Sequence, residues 1–92
     1  MTQTHHATLT IINELGLHAR AATQFVGVAA KFEAEIFVER SGREVNGKSI
    51  MGLLTLVAAQ GTQIRLRSEG EDGEQQIMAL SVLIANKFGE AR

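Results

Sequence analysis

The stretch TQIRLRSE, residues 62–69, alternates strictly, with Ile64 and Leu66 on one side and Gln63, Arg65 and Arg67 on the other. A period of two marks a strand with one buried face, and one-sided strands call for a largely antiparallel sheet with helices stacked on a single face. Upstream, residues 49–59 revert to a helical period through Ile50, Leu53, Leu54, Val57 and Ala58, with Gly61 as a stop signal. Downstream, the acidic turn cluster EGEDGE (69–74) opens a last helix whose inward stripe is Ile77, Leu80, Ile84 and Phe88, closed near Gly89. EIFVER (35–40) and REV (43–45), joined by Ser41-Gly42, form a hairpin with Ile36 and Val38 inward. From Ala19 to Phe32, apolar Ala22, Phe25, Ala29 and Phe32 recur at helical spacing opposite Arg20, Gln24, Gly27 and Lys31. ATLTIIN (7–13) is the first strand, with Leu9 and Ile11 on one face and Thr8 and Thr10 on the other. The order is β-α-β-β-α-β-α, which predicts a two-layer α/β sandwich.

Ninety-two residues hold one core, so the whole chain, 1–92, is expected to be a single domain. Apolar residues at 45% and charged residues at 21% are ordinary globular values. There is no cysteine, which excludes thiol redox chemistry, disulfides and thiolate metal sites and suits a reducing cytoplasm. With a net charge of −1 and scattered basic residues, the chain lacks the electrostatic footprint of a nucleic-acid binder. The start MTQTHHATLT has no positive segment followed by an apolar run, and the longest apolar stretch, around LLTLVAA, falls far short of the roughly 20 residues that span a bilayer. A cytoplasmic protein that binds neither nucleic acid nor membrane is the expectation.

The candidate chemistry lies in GLHARAATQFV, residues 16–26. Gly16 permits a sharp turn after the first strand, which places His18 at or next to the N-cap of the first helix. Neutral imidazole is a nucleophile near physiological pH. The unpaired first amides of a helix and its dipole favour an anion there, and the guanidinium fork of Arg20 matches phosphate oxygens. Such an arrangement suits carrying a phosphoryl group better than hydrolysing one, because no general base or second carboxylate is evident nearby in the sequence. Taken alone, a histidine near a helix start is more often a surface residue or an incidental cap.

GLHARAA with QFV, followed by VNGKSIMGLLTL and AAQGTQIRLRSEGED, resembles the histidine-containing phosphocarrier (HPr) family of the phosphoenolpyruvate-dependent sugar phosphotransferase system, from about residue 7 to residue 88. The resemblance implies an open-faced β-sandwich with sheet order 1-4-2-3. It also implies that His18 accepts a phosphoryl group on Nδ1 from phosphorylated enzyme I and passes it to the A component of a sugar permease, assisted by Arg20. No cofactor is implied. The family usually carries proline after the arginine, where this chain has Ala21. That difference is expected to cost ~0.4–1 kcal/mol through unfolded-state entropy, partly offset by the helix propensity of alanine, and to loosen the loop around His18 or, alternatively, to offer the phosphate another amide donor.

Ser49 opens the second helical pattern and on composition is a capping serine. Through the resemblance, KSIMGLL (48–54) is the segment in which a dedicated kinase/phosphorylase modifies the aligned serine, so Ser49 is a candidate regulatory site. Ile50, Met51 and Leu54 cannot all face inward alongside Leu53 and Val57, which predicts an exposed apolar patch beside Ser49. The resemblance assigns that patch to docking of enzyme I, permease components and, in some bacteria, a transcription regulator. Lys48 reads as a solvated charge, Arg65 and Arg67 as a solvated sheet face, and His5 and His6 as part of a frayed terminus with no metal role. Two other functions compete with a phosphocarrier. One is a mainly regulatory or nitrogen-branch protein acting by contacts; the other is a small-ligand module, for which the sequence offers little sign of a pocket.

Overall fold

The structure, a computed structural model, describes residues 3–92. Strand β1 (Thr4–Thr10) leads to helix α1 (Ala19–Ala29), then to strands β2 (Glu35–Arg40) and β3 (Arg43–Asn46). Helix α2 (Ile50–Leu54), strand β4 (Gln63–Glu69), helix α3 (Gly73–Ala85) and a 3-10 turn (Lys87–Gly89) complete the chain. The four strands form one antiparallel sheet in the order β1-β4-β2-β3. No helix among the described residues is long and apolar enough to cross a membrane.

β4 lies in the middle of the register. Leu66 pairs with Ala7 on one side and Val38 on the other, and Val38 with Val45, so one row of inward side chains crosses all four strands. Ile36, Ile64, Leu66 and Val38 are buried under Phe25, Ala22 and Ala29 of α1, Leu53 of α2, and Leu80 and Ile84 of α3. The opposite face is wet, as the alternation in TQIRLRSE requires. The Ser41-Gly42 connection takes positive φ at both residues, 52° and 86°, which matches the twist of a two-residue hairpin.

Four boundaries differ from the sequence reading. β1 begins at Thr4, and its extra length is set by pairing: His5 and His6 lie opposite Ser68 and Arg67 of β4, so they belong to the sheet and not to a frayed end. α1 ends at Ala29: the Ala30 amide makes the last helical bond, to the Val26 carbonyl, and the amides of Lys31 and Phe32 then close tighter turns onto the carbonyls of Val28 and Ala29. Phe32 is left half-buried in the connection.

The largest difference is α2, which spans five residues where the period predicted eleven positions of helix. The chain leaves it because Arg40 Nη1 donates to the Leu56 carbonyl at 3.0 Å and the Ala58 carbonyl accepts from Leu17 N at 2.9 Å. Leu56 is buried in consequence, whereas Val57, expected inward, adopts φ +50° and points to solvent. At the far end Phe88 is buried as expected but lies beyond α3, in a segment where Lys87, Phe88 and Gly89 all have positive φ.

The polar side chains that join the layers gave no period in the sequence. The Asp72 carboxylate accepts from the amides of Glu33 and Ala34 at 2.9 Å each, which ties the start of α3 to the entrance of β2. These amides, that of Glu33 first, hold its carboxyl below the ordinary range. Lys48 is not a free solvated charge: its Nζ donates to the Phe32 carbonyl at 2.8 Å. Arg67 is engaged as well, bonded to Glu44 and Glu69 with its guanidinium 4.3 Å over the Phe37 ring.

Candidate functional site

Gly16 sets the site. Its φ of +67° belongs to the left-handed region, and a Cβ there would stand 2.6 Å from the Ala58 carbonyl oxygen, so both conformation and space require glycine. The turn brings His18 to the N-cap of α1 with extended backbone, φ −79° and ψ −180°. Its carbonyl accepts the first helical bond, from Ala22 N at 2.8 Å. Its ring Nδ1 accepts from Arg20 N at 3.3 Å. A helix start leaves its first amides without intrahelical acceptors, and those of the exposed Ala19 and Arg20 lie at the end of α1 that carries the ring, a setting suited to an anion. The methyl group of Ala21, in the first turn, is fully buried.

The ring is half-buried, and the cause is a residue that the sequence did not single out. Nε2 of His18 is bonded to Oε2 of Glu90, while the other oxygen of Glu90 accepts from Asn13 Nδ2 at 2.9 Å. The absence of a second carboxylate near His18, expected from the sequence, is therefore corrected. Glu90 is brought there by the positive-φ segment after α3, which folds the chain end back over the β1–α1 loop. Arg92 O accepts from Glu14 N at 3.0 Å. The bond from His18, then that from Asn13, hold the Glu90 carboxyl below its ordinary range. Glu90 sits on the edge of the ring away from Nδ1, so it is not placed to direct water at a group on Nδ1. No spacing rule links positions 18 and 90; only a glutamate after a buried aromatic residue near the chain end marks it.

Arg20 is exposed in the first turn of α1 and shares a shallow groove with Glu14, Leu15, Glu90 and Arg92. A second groove, lined by Leu15, Leu17, His18, Leu54 and Val57, joins the ring to the apolar end of α2. Ser49, Ile50 and Met51 do not line it. Ser49 caps α2, its Oγ accepting from Gly52 N at 3.0 Å. Met51 is 73% exposed and Ile50 37%, while Leu54 is partly buried, so the predicted apolar patch exists and extends to Val57 and Leu15. A depression on the open sheet face is lined chiefly by polar side chains such as Thr8, Glu39, Gln63 and Arg65, which is poor chemistry for an apolar small ligand.

The family profile described as PTS HPr component phosphorylation site matches residues 5–86. The chain belongs to the HPr family. HPr proteins are phosphocarriers of the phosphotransferase system, and curated relatives span almost its full length. The phosphocarrier protein HPr of Xylella fastidiosa is 50% identical over 82 residues, covering 89% of this chain and 92% of that protein. The phosphocarrier protein NPr of Shewanella violacea is 40% identical over 83 residues, covering 90% and 91%. Among solved structures, HPr of Thermoanaerobacter tengcongensis superposes with a TM-score of 0.92 at 46% identity, covering 96% of this chain and 99% of that one. The four-stranded sheet in order 1-4-2-3 with three helices is the HPr fold.

Proposed function

We propose that this chain accepts a phosphoryl group on Nδ1 of His18 from phosphorylated enzyme I and passes it to the A component of a sugar permease in the cytoplasm. The observation that carries the reading is the placement of the His18 ring at the N-cap of α1. Nδ1 faces the Arg20 amide, and Nε2 is occupied by Glu90. An imidazole held this way offers one lone pair, at Nδ1, to an incoming phosphorus. When the N–P bond forms, the Arg20 amide exchanges the ring nitrogen for a phosphoryl oxygen. The Ala19 amide and the Arg20 guanidinium take the remaining charge. The protein is a carrier, and the phosphohistidine is its only covalent intermediate.

The test is incubation with the cognate enzyme I, Mg²⁺ and phosphoenolpyruvate, followed by intact-mass measurement. One acid-labile phosphoryl group is expected on the wild type and none on His18→Ala. An unlabelled wild type would remove the reading.

A second reading, a mainly regulatory or nitrogen-branch role, is supported by the NPr relative and by the half-exposed Ser49 hydroxyl. Phosphorylation of Ser49 adds nearly two negative charges beside the apolar patch and repels acidic partners. A cognate kinase with ATP is expected to add an acid-stable phosphate that Ser49→Ala lacks. A transcription regulator reading phospho-Ser49 would then bind the modified form more tightly. Comparing initial phosphorylation rates by sugar-branch and nitrogen-branch enzyme I assigns the branch.

A further inference from the structure

Glu90 reaches the site from 72 positions along the chain, and both of its oxygens are held. Asn13, which holds one of them, is fully buried, and its Nδ2 also donates to the Gly16 carbonyl at 2.8 Å. One amide group thus anchors both the carboxylate and the loop that carries the imidazole. The segment around Glu90 is pinned on both sides, by Phe88 in the core before it and by the Glu14 N to Arg92 O bond after it.

We propose that Glu90 is a positioning residue for phosphoryl transfer: its carboxylate, held by Asn13, keeps the proton of His18 on Nε2, presents the Nδ1 lone pair, and offsets the charge of the phosphorylated ring. This rests on the carrier reading of His18.

A neutral imidazole carries one N–H and one lone pair, and its neighbours decide which nitrogen has which. An ionised carboxylate can only accept, so the nitrogen it touches carries the proton. On the other edge, Nδ1 faces an N–H donor and must present a lone pair. Both contacts select the same tautomer. In the step itself, the Nδ1 lone pair forms the N–P bond while the bond from phosphorus to the donor atom of phosphorylated enzyme I breaks and its electron pair returns to that atom. The Nε2 proton stays in place, so no proton is released and the ring of phospho-His18 is cationic. A carboxylate already bonded to Nε2–H meets that charge without rearranging, whereas water would have to reorient. The low pKa of the Glu90 carboxyl keeps it an acceptor at neutral pH. Arg20 and Arg92, which line the same groove with Glu14, offset the repulsion between Glu90 and the incoming phosphoryl group.

The test compares wild type, Glu90→Gln and Glu90→Ala as full chains, using ring ¹⁵N shifts of His18 for the tautomer and single-turnover transfer from phosphorylated enzyme I for the rate. The wild type is expected to hold the Nε2–H form. Glu90→Ala is expected to mix the two tautomers and slow transfer by ~10-fold, the usual effect of losing the partner that orients a reacting ring. Glu90→Gln keeps an acceptor oxygen without the charge, so the wild-type tautomer with an intermediate rate is expected. A purely structural Glu90 would lower Tm in Glu90→Ala and leave tautomer and rate unchanged, and that result overturns the proposal. The two readings fail differently. A wild type that accepts no phosphoryl group overturns the carrier reading and the transfer step together; normal wild-type acceptance with an unaltered Glu90→Ala overturns the assignment of Glu90 alone.

Discussion

Gly16 and Arg20 stand two residues to either side of His18, and the structure separates their roles. Gly16 shapes the backbone: a methyl group there meets both a left-handed φ and the Ala58 carbonyl oxygen at 2.6 Å. Gly16→Ala is therefore expected to cost more than about 1 kcal/mol in urea unfolding and to displace the ring from the helix start. Arg20 has an exposed side chain with no bond to the core. Arg20→Ala is expected to slow phosphoryl transfer by roughly 10- to 100-fold, the worth of one charge-assisted hydrogen bond, while Tm stays nearly constant. A large fall in Tm would reclassify Arg20 as structural. Both residues are legible in the sequence because a glycine, a histidine and an arginine within one turn of a helix start are local signals. Glu90 and Asn13 are not, since their meaning depends on where a distant segment of chain returns.

The connections between elements carry the polar chemistry. Asp72 joins α3 to the entrance of β2 through two amide bonds, and its carboxyl is held below the ordinary range. A carboxyl whose folded pKa is depressed contributes stability that is fully present above its unfolded value of about 3.9 and is lost as pH falls through the lower, folded value. Asp72→Asn is thus expected to be less stable at neutral pH and to lose less stability than wild type below about pH 4, as read by denaturant midpoints across that range. Phe88 does for the chain end what Asp72 does for α3. It is buried although it lies outside the helix, so Phe88→Ala is expected to cost ~3–5 kcal/mol and to release the segment carrying Glu90. Faster hydrogen exchange at the Glu14 amide would report that release. Helix α2 is shorter than its apolar period for a related reason. Its apolar period continues through Val57 and Ala58, but bonds from Arg40 and Leu17 to the Leu56 and Ala58 carbonyls draw the backbone out of the helix.

Across the whole molecule, one layer of helices leaves one face of the sheet wet and places exposed Leu15 and Val57 in one groove with His18. Met51, Val57 and Leu15 are among the most exposed large apolar residues, and Val57 and Leu15 line the groove that leads to the ring. Met51→Asp is expected to change stability by no more than about 0.5 kcal/mol while weakening transfer at low partner concentration. Unchanged transfer kinetics would place the docking surface elsewhere. The alternation of residues 62–69, the helical stripes and the GLHAR turn determined the sandwich, the single wet face and the histidine at a helix start, because those features depend on periods of two and about 3.6 residues within one segment. Only the tertiary structure decided that Glu90, held by Asn13, reaches the ring of His18, that α2 stops after five residues, and that Lys48 and Arg67 are bound and not free. Those outcomes are contacts between distant positions, set by the path of the backbone through turns that carry no period.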